Sequence, residues 1–331
     1  MRWTLCLALM AMVDAFSSKP LFVTSRDRGI ARRTFGTWDA RVACGVICAW
    51  DEDRAYAMRV ALVVKKHATS DAQHDACIVA ALLYSLRRQK RLPDHVMHRL
   101  FDNDVCQLVD ACASQECDDD SEDVQLVRIS ANLVGMCDVR GALCALQNDV
   151  PLAMLNKFDS LSDEICERAV SILDPDKLRH IKDNITIQTS QTYHSSFLIC
   201  HNIQRLFPLS VVSYHIRVKT AHSVFFKMRR LGLNDTTKIH DIIGVRILVS
   251  DVTACYTLLH HLQESFCLER IHDYIEEPKP NGYQSLHCVI HVSDALLEIQ
   301  VRTLDMHLNA EEGESAHRRY KTAQFRELVL A

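Results

Sequence analysis

The chain has 331 residues, 48% of them hydrophobic and 24% charged, with a formal net charge of -4. That length allows two domains with a sizeable core, and the composition is that of a soluble globular protein. The charge excludes a broad basic surface for duplex nucleic acid but leaves room for a compact basic pocket for a small anion. The 14 cysteines are scattered, with no Cys-x-x-Cys and no zinc spacing, so most read as buried thiols in a reducing compartment.

Arg2 precedes an apolar run, Trp3 to Val13, and Val13-Asp14-Ala15 offers cleavage-type residues. The run is too short to span a bilayer and suits a signal peptide, residues 1–15. Residues 16–40 open on Phe16-Ser-Ser-Lys-Pro. As far as Thr37 they set Lys19, Arg26, Arg28, Arg32 and Arg33 against Asp27, which is transit-peptide chemistry. This pairing resembles the two-part presequence of algae with complex plastids and implies delivery to the plastid stroma; simple secretion is the alternative. Folded structure is expected from about residue 41.

The pattern from about Ala55 to Ile185 is helical. Ala57, Val60, Ala61, Val64 and Ala68 recur at i, i+3, i+4, as on an amphipathic helix. A second helix, near Asp75 to Arg88, is almost wholly apolar from Ala76 to Leu83 and should be buried. The acidic run Glu116 to Asp123 has no apolar anchor and reads as a solvated loop, without EF-hand spacing.

In the second half, Tyr214-His-Ile-Arg-Val-Lys-Thr-Ala-His-Ser-Val-Phe-Phe-Lys-Met228 brings Arg217 and Lys219 to the entry of a helix. Val245 to Val249 reads as a central strand with Asp241 just before it. Asp251 caps a helix whose apolar face is Val252, Cys255, Leu259, Leu262 and Phe266. In Arg270-Ile-His-Asp-Tyr-Ile-Glu-Glu-Pro-Lys-Pro-Asn-Gly-Tyr-Gln-Ser-Leu-His287, Pro278 and Pro280 fix φ and Asn281-Gly282 signals a turn. This rigid basic turn is expected to carry Lys279 on one side and present Tyr283, Gln284 and His287 on the other. Ser285 to Val292 and Leu296 to Arg302 read as antiparallel strands joined by Ser293-Asp294. Alternation in the second sends Leu297, Ile299 and Val301 to one face and Glu298, Gln300 and Arg302 to the other, toward a polar cleft. Thr303 caps a last helix, expected to pack behind the sheet. It carries Met306-His307, Ala310-Glu-x-Gly313 and Ala316-His317-x-x-Tyr320-Lys321; His307 and Glu311, one turn apart, could alternatively suit a metal.

These segments together resemble the RelA/SpoT family, the (p)ppGpp synthetases of the stringent response, above all in Asp273-Tyr-Ile-x-x-Pro-Lys-x-Asn-Gly-Tyr-Gln-Ser-Leu-His287 and Glu298-Ile-Gln-Val-Arg-Thr303. The resemblance covers about Tyr193 to Lys321. It implies an α+β fold: a nucleotidyltransferase-like synthetase domain, residues 191–331, with a mixed sheet flanked by helices, behind an all-α hydrolase-like domain, residues 41–190. It implies transfer of pyrophosphate from ATP to the 3′-hydroxyl of GDP or GTP. Asp241 and Glu298 would be catalytic and hold Mg²⁺. Arg217, Lys219 and Arg246 would bind ATP. Tyr283, Lys279, Asn281, Gln284, His287, Gln300 and Arg302 would bind the guanine nucleotide. Ile216 and Val218 replace the family's Gly and Pro, which puts the geometry of the donor loop in question.

The family's metal-dependent hydrolase carries Leu-Leu-His-Asp at the end of a buried helix, where this chain has Ala80-Ala-Leu-Leu-Tyr-Ser85. Asn148 falls where an Asp is expected. A phenol and a hydroxyl cannot replace an imidazole and a carboxylate for a hard divalent ion, so this half is expected to be a scaffold. Two rivals are a guanine-nucleotide-binding regulatory pseudoenzyme and an RNA-binding module. No nucleic-acid partner is expected, nor a membrane after presequence removal, nor a ribosome-sensing region beyond Lys321. A homo-oligomer is compatible with the sequence.

Overall fold

The computed structural model describes residues 38–50, 54–68, 71–114, 121–239, 241–292 and 295–311. The presequence expectations lie outside these residues, apart from Trp38 to Ala40 at the start of a helix. Two compact units divide between Ile165 and Cys166.

The first unit is helical. Helices α1 (Trp38–Trp50), α2 (Arg54–His67), α3 (Asp71–Arg88), α4 (Asp94–Leu100), α5 (Asn103–Ala113), α6 (Glu122–Gly135), α7 (Val139–Cys144) and α8 (Val150–Leu155) precede α9 (Asp159–Leu173), which crosses the division. The expected face of α2 is buried at Ala57, Val60, Ala61 and Val64, while Ala68 falls beyond the helix end. In α3 the run Cys77 to Leu83 is buried, as its apolar character requires. The acidic run is not all loop: Ser121 Oγ accepts from Val124 N–H, placing Glu122 and Asp123 in the first turn of α6, where carboxylates complement the helix dipole. Most of the described thiols are buried.

A π-helical turn, Ala145–Asp149, joins α7 to α8. The wider turn rotates the side chains that follow it. Asn148 is consequently exposed and donates to the Cys144 carbonyl oxygen at 3.0 Å. Its neighbour Asp149 is the buried group, accepting from Asn132 Nδ2 at 3.0 Å. Sequence register singled out Asn148; the π turn gives the inward place to Asp149.

In the second unit, α10 (Pro175–Leu206) leads into a five-stranded sheet. Asp174 caps α10 by accepting from Lys177 N–H at 3.0 Å, and Pro175 occupies its first turn. The sheet contains β1 (Val211–Val218), β2 (Ile243–Val249), β3 (Leu268–Asp273), β4 (Leu286–Val292) and β5 (Ala295–Thr303), in the order β1-β2-β5-β4-β3. β2 and β5 are parallel and the other pairs antiparallel, so the expected mixed sheet flanked by helices is present. Helices α11 (Ala221–Leu231) and α12 (Val252–Ser265) intervene between strands, and α13 (Leu304–Glu311) follows β5.

One core cluster joins Leu178, Ile181, Cys200 and Ile203 of α10 to β2, β4 and β5. The expected boundary at 190/191 is therefore corrected: all of α10 belongs with the sheet, because both its halves bury apolar residues against it. Asp251 caps α12 as expected, accepting from Ala254 N–H at 2.8 Å. Val252 is 43% exposed, however, and Leu258 takes the buried place on that helix. Among the described residues no helix is long and apolar enough to cross a membrane.

Candidate active site

The alternation expected for β5 is present. Leu297, Ile299 and Val301 lie in the core, and Glu298, Gln300 and Arg302 point to the opposite face. The register extends this polar face across the sheet. Arg217, Gly244 and Glu298 form one cross-strand row; His215, Arg246, Gln300, His287 and His272 form the next. Strand pairing thus assembles groups from five separate segments of sequence on one surface. Gly244 leaves space at its centre: a Cβ there would meet only the Glu298 carbonyl oxygen, at 3.9 Å.

Ile216 and Val218 lie in regular strand β1, paired with Val245 and Ile243 and packed against the core. Positive φ among non-glycine residues occurs only at Lys90 and Lys157 among the described residues. The two substitutions are accommodated as ordinary strand residues. Arg217, on the other face of β1, is exposed and pairs with no carboxylate among the described residues.

Asp241 stands just before β2. Its Oδ2 accepts from Lys219 Nζ and from Lys227 Nζ, the latter at 2.6 Å. Burial would raise the Asp241 carboxyl, but Lys219 and then Lys227 hold it below the usual carboxylate range. Burial in turn lowers the Lys219 ammonium, against the pull of Asp241. Oδ1 of Asp241 is buried without a hydrogen-bond partner. Lys227 was not among the expected site residues, although the run Phe226-Lys227-Met228 held the signal: a cation one turn from the apolar face of α11.

Glu298 Oε1 lies 3.1 Å from His287 Nδ1, and its Oε2 accepts from Gln300 Nε2 at 3.1 Å. Burial opposes ionisation, but His287 and the Gln300 hydrogen bond together outweigh it and lower the carboxyl below its ordinary value. His287 Nε2 is 2.8 Å from the Tyr283 hydroxyl. Glu298, His287 and Tyr283 therefore form one chain of hydrogen bonds.

The loop between β3 and β4 folds more tightly than a two-sided turn. Gly282 N–H donates to the Lys279 carbonyl at 2.8 Å, Lys279 N–H donates to the Tyr283 carbonyl at 3.1 Å, and Gly282 adopts φ +75°. Only Gly relaxes freely there. Lys279 and Tyr283 are consequently not on opposite sides; Lys279 Nζ lies 5.1 Å from the Tyr283 ring centroid. Asn281 Oδ1 accepts from Tyr283 N–H at 3.2 Å, and Gln284 Nε2 donates to the Ile275 carbonyl at 3.3 Å. These two side chains shape the loop.

Arg302 is 1% exposed, set beneath the open face rather than on it. Its Nη2 lies 2.6 Å from His307 Nδ1 and 3.0 Å from Glu311 Oε1. The same carboxylate oxygen lies 3.0 Å from Arg246 Nη1. Helix α13 therefore reaches the polar face, not the back of the sheet, and His307 and Glu311 are taken up by arginines rather than disposed around a metal. Burial would raise Glu311, but Arg246 and Arg302 hold it low. Among the described residues no group of three or more His, Cys, Asp or Glu gathers as a metal site. Asp241 and Glu298 are two ionised carboxylates, one with an unmade acceptor position. That fits Mg²⁺, which commonly takes one or two protein carboxylates and completes its shell with water and substrate phosphates.

Residues 216–324 match the family described as the region found in RelA / SpoT proteins. A relative from Arabidopsis thaliana, "Probable GTP diphosphokinase RSH3, chloroplastic", is 43% identical over 116 residues, which cover 33% of this chain and 16% of that protein. A guanosine-3′,5′-bis(diphosphate) 3′-pyrophosphohydrolase of Aquifex aeolicus is 44% identical over 108 residues, 32% of this chain and 15% of its own. The chain thus spans less than a fifth of the length of these relatives. The solved small alarmone synthetase 1 of Bacillus subtilis, bound to its product pppGpp, aligns at 29% identity with a TM-score of 0.30, over 36% of this chain and 71% of that one.

Proposed function

On the premise that residues 216–324 belong to the family of regions found in RelA / SpoT proteins, we propose that this chain is a GTP diphosphokinase. It transfers the β,γ-pyrophosphate of ATP to the 3′-hydroxyl of GDP or GTP, making (p)ppGpp and AMP. The observation that carries the reading is the polar sheet face, where Arg217, Arg246, Glu298, Gln300 and His287 stand in adjacent rows. Phosphoryl transfer spreads negative charge over phosphate oxygens and depends on positioned cations more than on covalent chemistry. Arg217 and Lys219 take the ATP phosphates; Arg246 and Lys279 add positive charge for the nucleotide tails. Mg²⁺ held at Asp241 and Glu298 would screen the phosphate charge. Glu298, kept ionised beside His287, accepts the 3′-hydroxyl proton. Tyr283 offers its ring to the guanine base.

The helical unit is a scaffold in this proposal and does not hydrolyse the product. Tyr84 and Ser85 are neutral and buried, and the Tyr84 hydroxyl is engaged by Arg88 Nη1 at 2.6 Å. Delivery to the plastid is supported by the Ser- and Arg-rich N-terminus and by relatives named chloroplastic. The test of the function is purified protein with ATP, Mg²⁺ and GDP or GTP, followed by separation of the nucleotides. ppGpp or pppGpp with stoichiometric AMP is expected; nucleotide binding without AMP would leave a regulatory pseudoenzyme instead.

A further inference from the structure

Tyr274 opens the loop after β3, and nothing in the reaction proposed above uses it. Its ring stacks on His272 with centroids 5.7 Å apart and planes 18° from parallel. It meets His287 nearly edge-on at 5.2 Å and Tyr283 at 6.2 Å. Lys279 Nζ lies 4.2 Å from its centroid, closer than to that of Tyr283. One half-buried ring therefore touches the cation, the stacking tyrosine and the histidine that together form the loop side of the site.

We propose that Tyr274 is a positioning residue for guanosine-nucleotide recognition that acts through Lys279. This rests on the reading that the polar face takes such a nucleotide. Lys279 Nζ has no carboxylate partner among the described residues, and two ring faces hold it. The difference is chemical. A carboxylate would orient the ammonium but neutralise it and compete with phosphate. A ring face attracts the cation through its quadrupole and leaves the charge and all three donors available. Lysine is a flexible four-carbon stem ending in a strongly hydrated point charge, so without a ring beneath it the ammonium samples solvent. His272 fixes the orientation of Tyr274 from a paired strand, where it lies opposite His287. The ring rather than the hydroxyl makes these contacts, so phenylalanine should substitute for it.

The test is a double-mutant cycle in the full chain, with GDP, GTP and ATP dissociation constants measured by calorimetry. Tyr274→Leu should weaken guanosine-nucleotide binding by about 5- to 10-fold, within the cation–π range, and ATP binding less than about 2-fold by the same argument. Tyr274→Phe should restore binding. In a Lys279→Met background, Tyr274→Leu should add little, because the residue through which it acts is gone. Proton NMR gives a readout independent of binding. The Lys279 ε-methylene resonance should be shifted upfield by the rings in the wild type and in Tyr274→Phe, and return to its ordinary position in Tyr274→Leu. Additive losses in the double variant, an unshifted Lys279 resonance in the wild type, or equal losses for ATP would each overturn the inference while leaving the proposed function in place. Wild-type protein that binds no guanosine nucleotide would remove the function and this role together.

Discussion

Asp149→Asn tests the inward turn of the π-helical segment. Burial raises the Asp149 carboxyl from its ordinary 3.8 to about 6, and the Asn132 hydrogen bond only partly offsets this. A gap of about 2 between the two values corresponds to about 3 kcal/mol. The folded pKa lies above the unfolded one. The stability linked to this proton is therefore fully present below pH ~4 and lost as pH rises through about 6. At neutral pH the wild type holds a buried carboxylate at that cost, and an amide in its place does not. The amide oxygen could still accept from Asn132, but the amide N–H groups need partners, and one left unmade costs about 1–3 kcal/mol. The net gain at pH 7.5 is then about 0–2 kcal/mol, whereas the difference between variant and wild type should change by about 3 kcal/mol between pH 3.5 and 7.5. Urea unfolding followed by far-ultraviolet circular dichroism at several pH values measures this. A stability difference independent of pH would refute the burial argument, and Asn148→Asp giving the larger pH response would refute the inward placement of Asp149.

Glu298→Gln and Asp241→Ala should each lower kcat at least about 10²-fold, the scale for groups acting on transition-state charge; wild-type turnover in either variant would take that residue out of the chemistry. Tyr283→Ala should weaken guanosine-nucleotide binding by about tenfold, with a smaller effect on ATP, since stacking on an aromatic ring contributes about 1–3 kcal/mol; calorimetry with each nucleotide decides. Given ppGpp and Mn²⁺ at neutral pH, the protein should release no pyrophosphate above background, because Tyr84 and Ser85 supply no charged metal ligand; manganese-dependent release would end the scaffold reading. Residues 1–40 fused to a fluorescent protein should reach the plastid, and Phe16→Ala should divert it; microscopy showing secretion of the unmutated fusion would contradict this.

The polar face was legible where period-two alternation was strong. Leu297, Ile299 and Val301 announced the buried side of β5, and its polar side followed. β1 was harder. Val211–Val218 has exposed Val212 and only partly buried Tyr214, Ile216 and Val218, so its pattern is that of an edge strand, and Arg217, with Lys219 just past the strand end, read as a helix entry. Lys227 was passed over because a cation beside the apolar face of a helix also reads as surface charge, and only the fold brings it to Asp241. Tyr274 was passed over because its contacts with His287 and Lys279 are made across a loop, which no local spacing encodes. Arg302 was placed on the correct side of its strand, but α13 covers it, and alternation says nothing about a covering helix. The π turn was invisible for a related reason: one wider turn shifts the inward position by a residue without changing composition.

Helix α10 runs for 32 residues, about 48 Å at 1.5 Å per residue, and it has a consequence for how the chain can be divided. A protein fragment starting at residue 191 would keep Cys200 and Ile203 but lose Leu178, Ile181 and the Asp174 cap. It would leave bare the apolar surface those residues cover and begin in mid-helix with its first N–H groups unsatisfied. Any recombination or cleavage that separates the sheet unit intact must therefore fall on the N-terminal side of Asp174. The exchangeable module in this chain is longer than residues 216–324, the stretch that matches the family model.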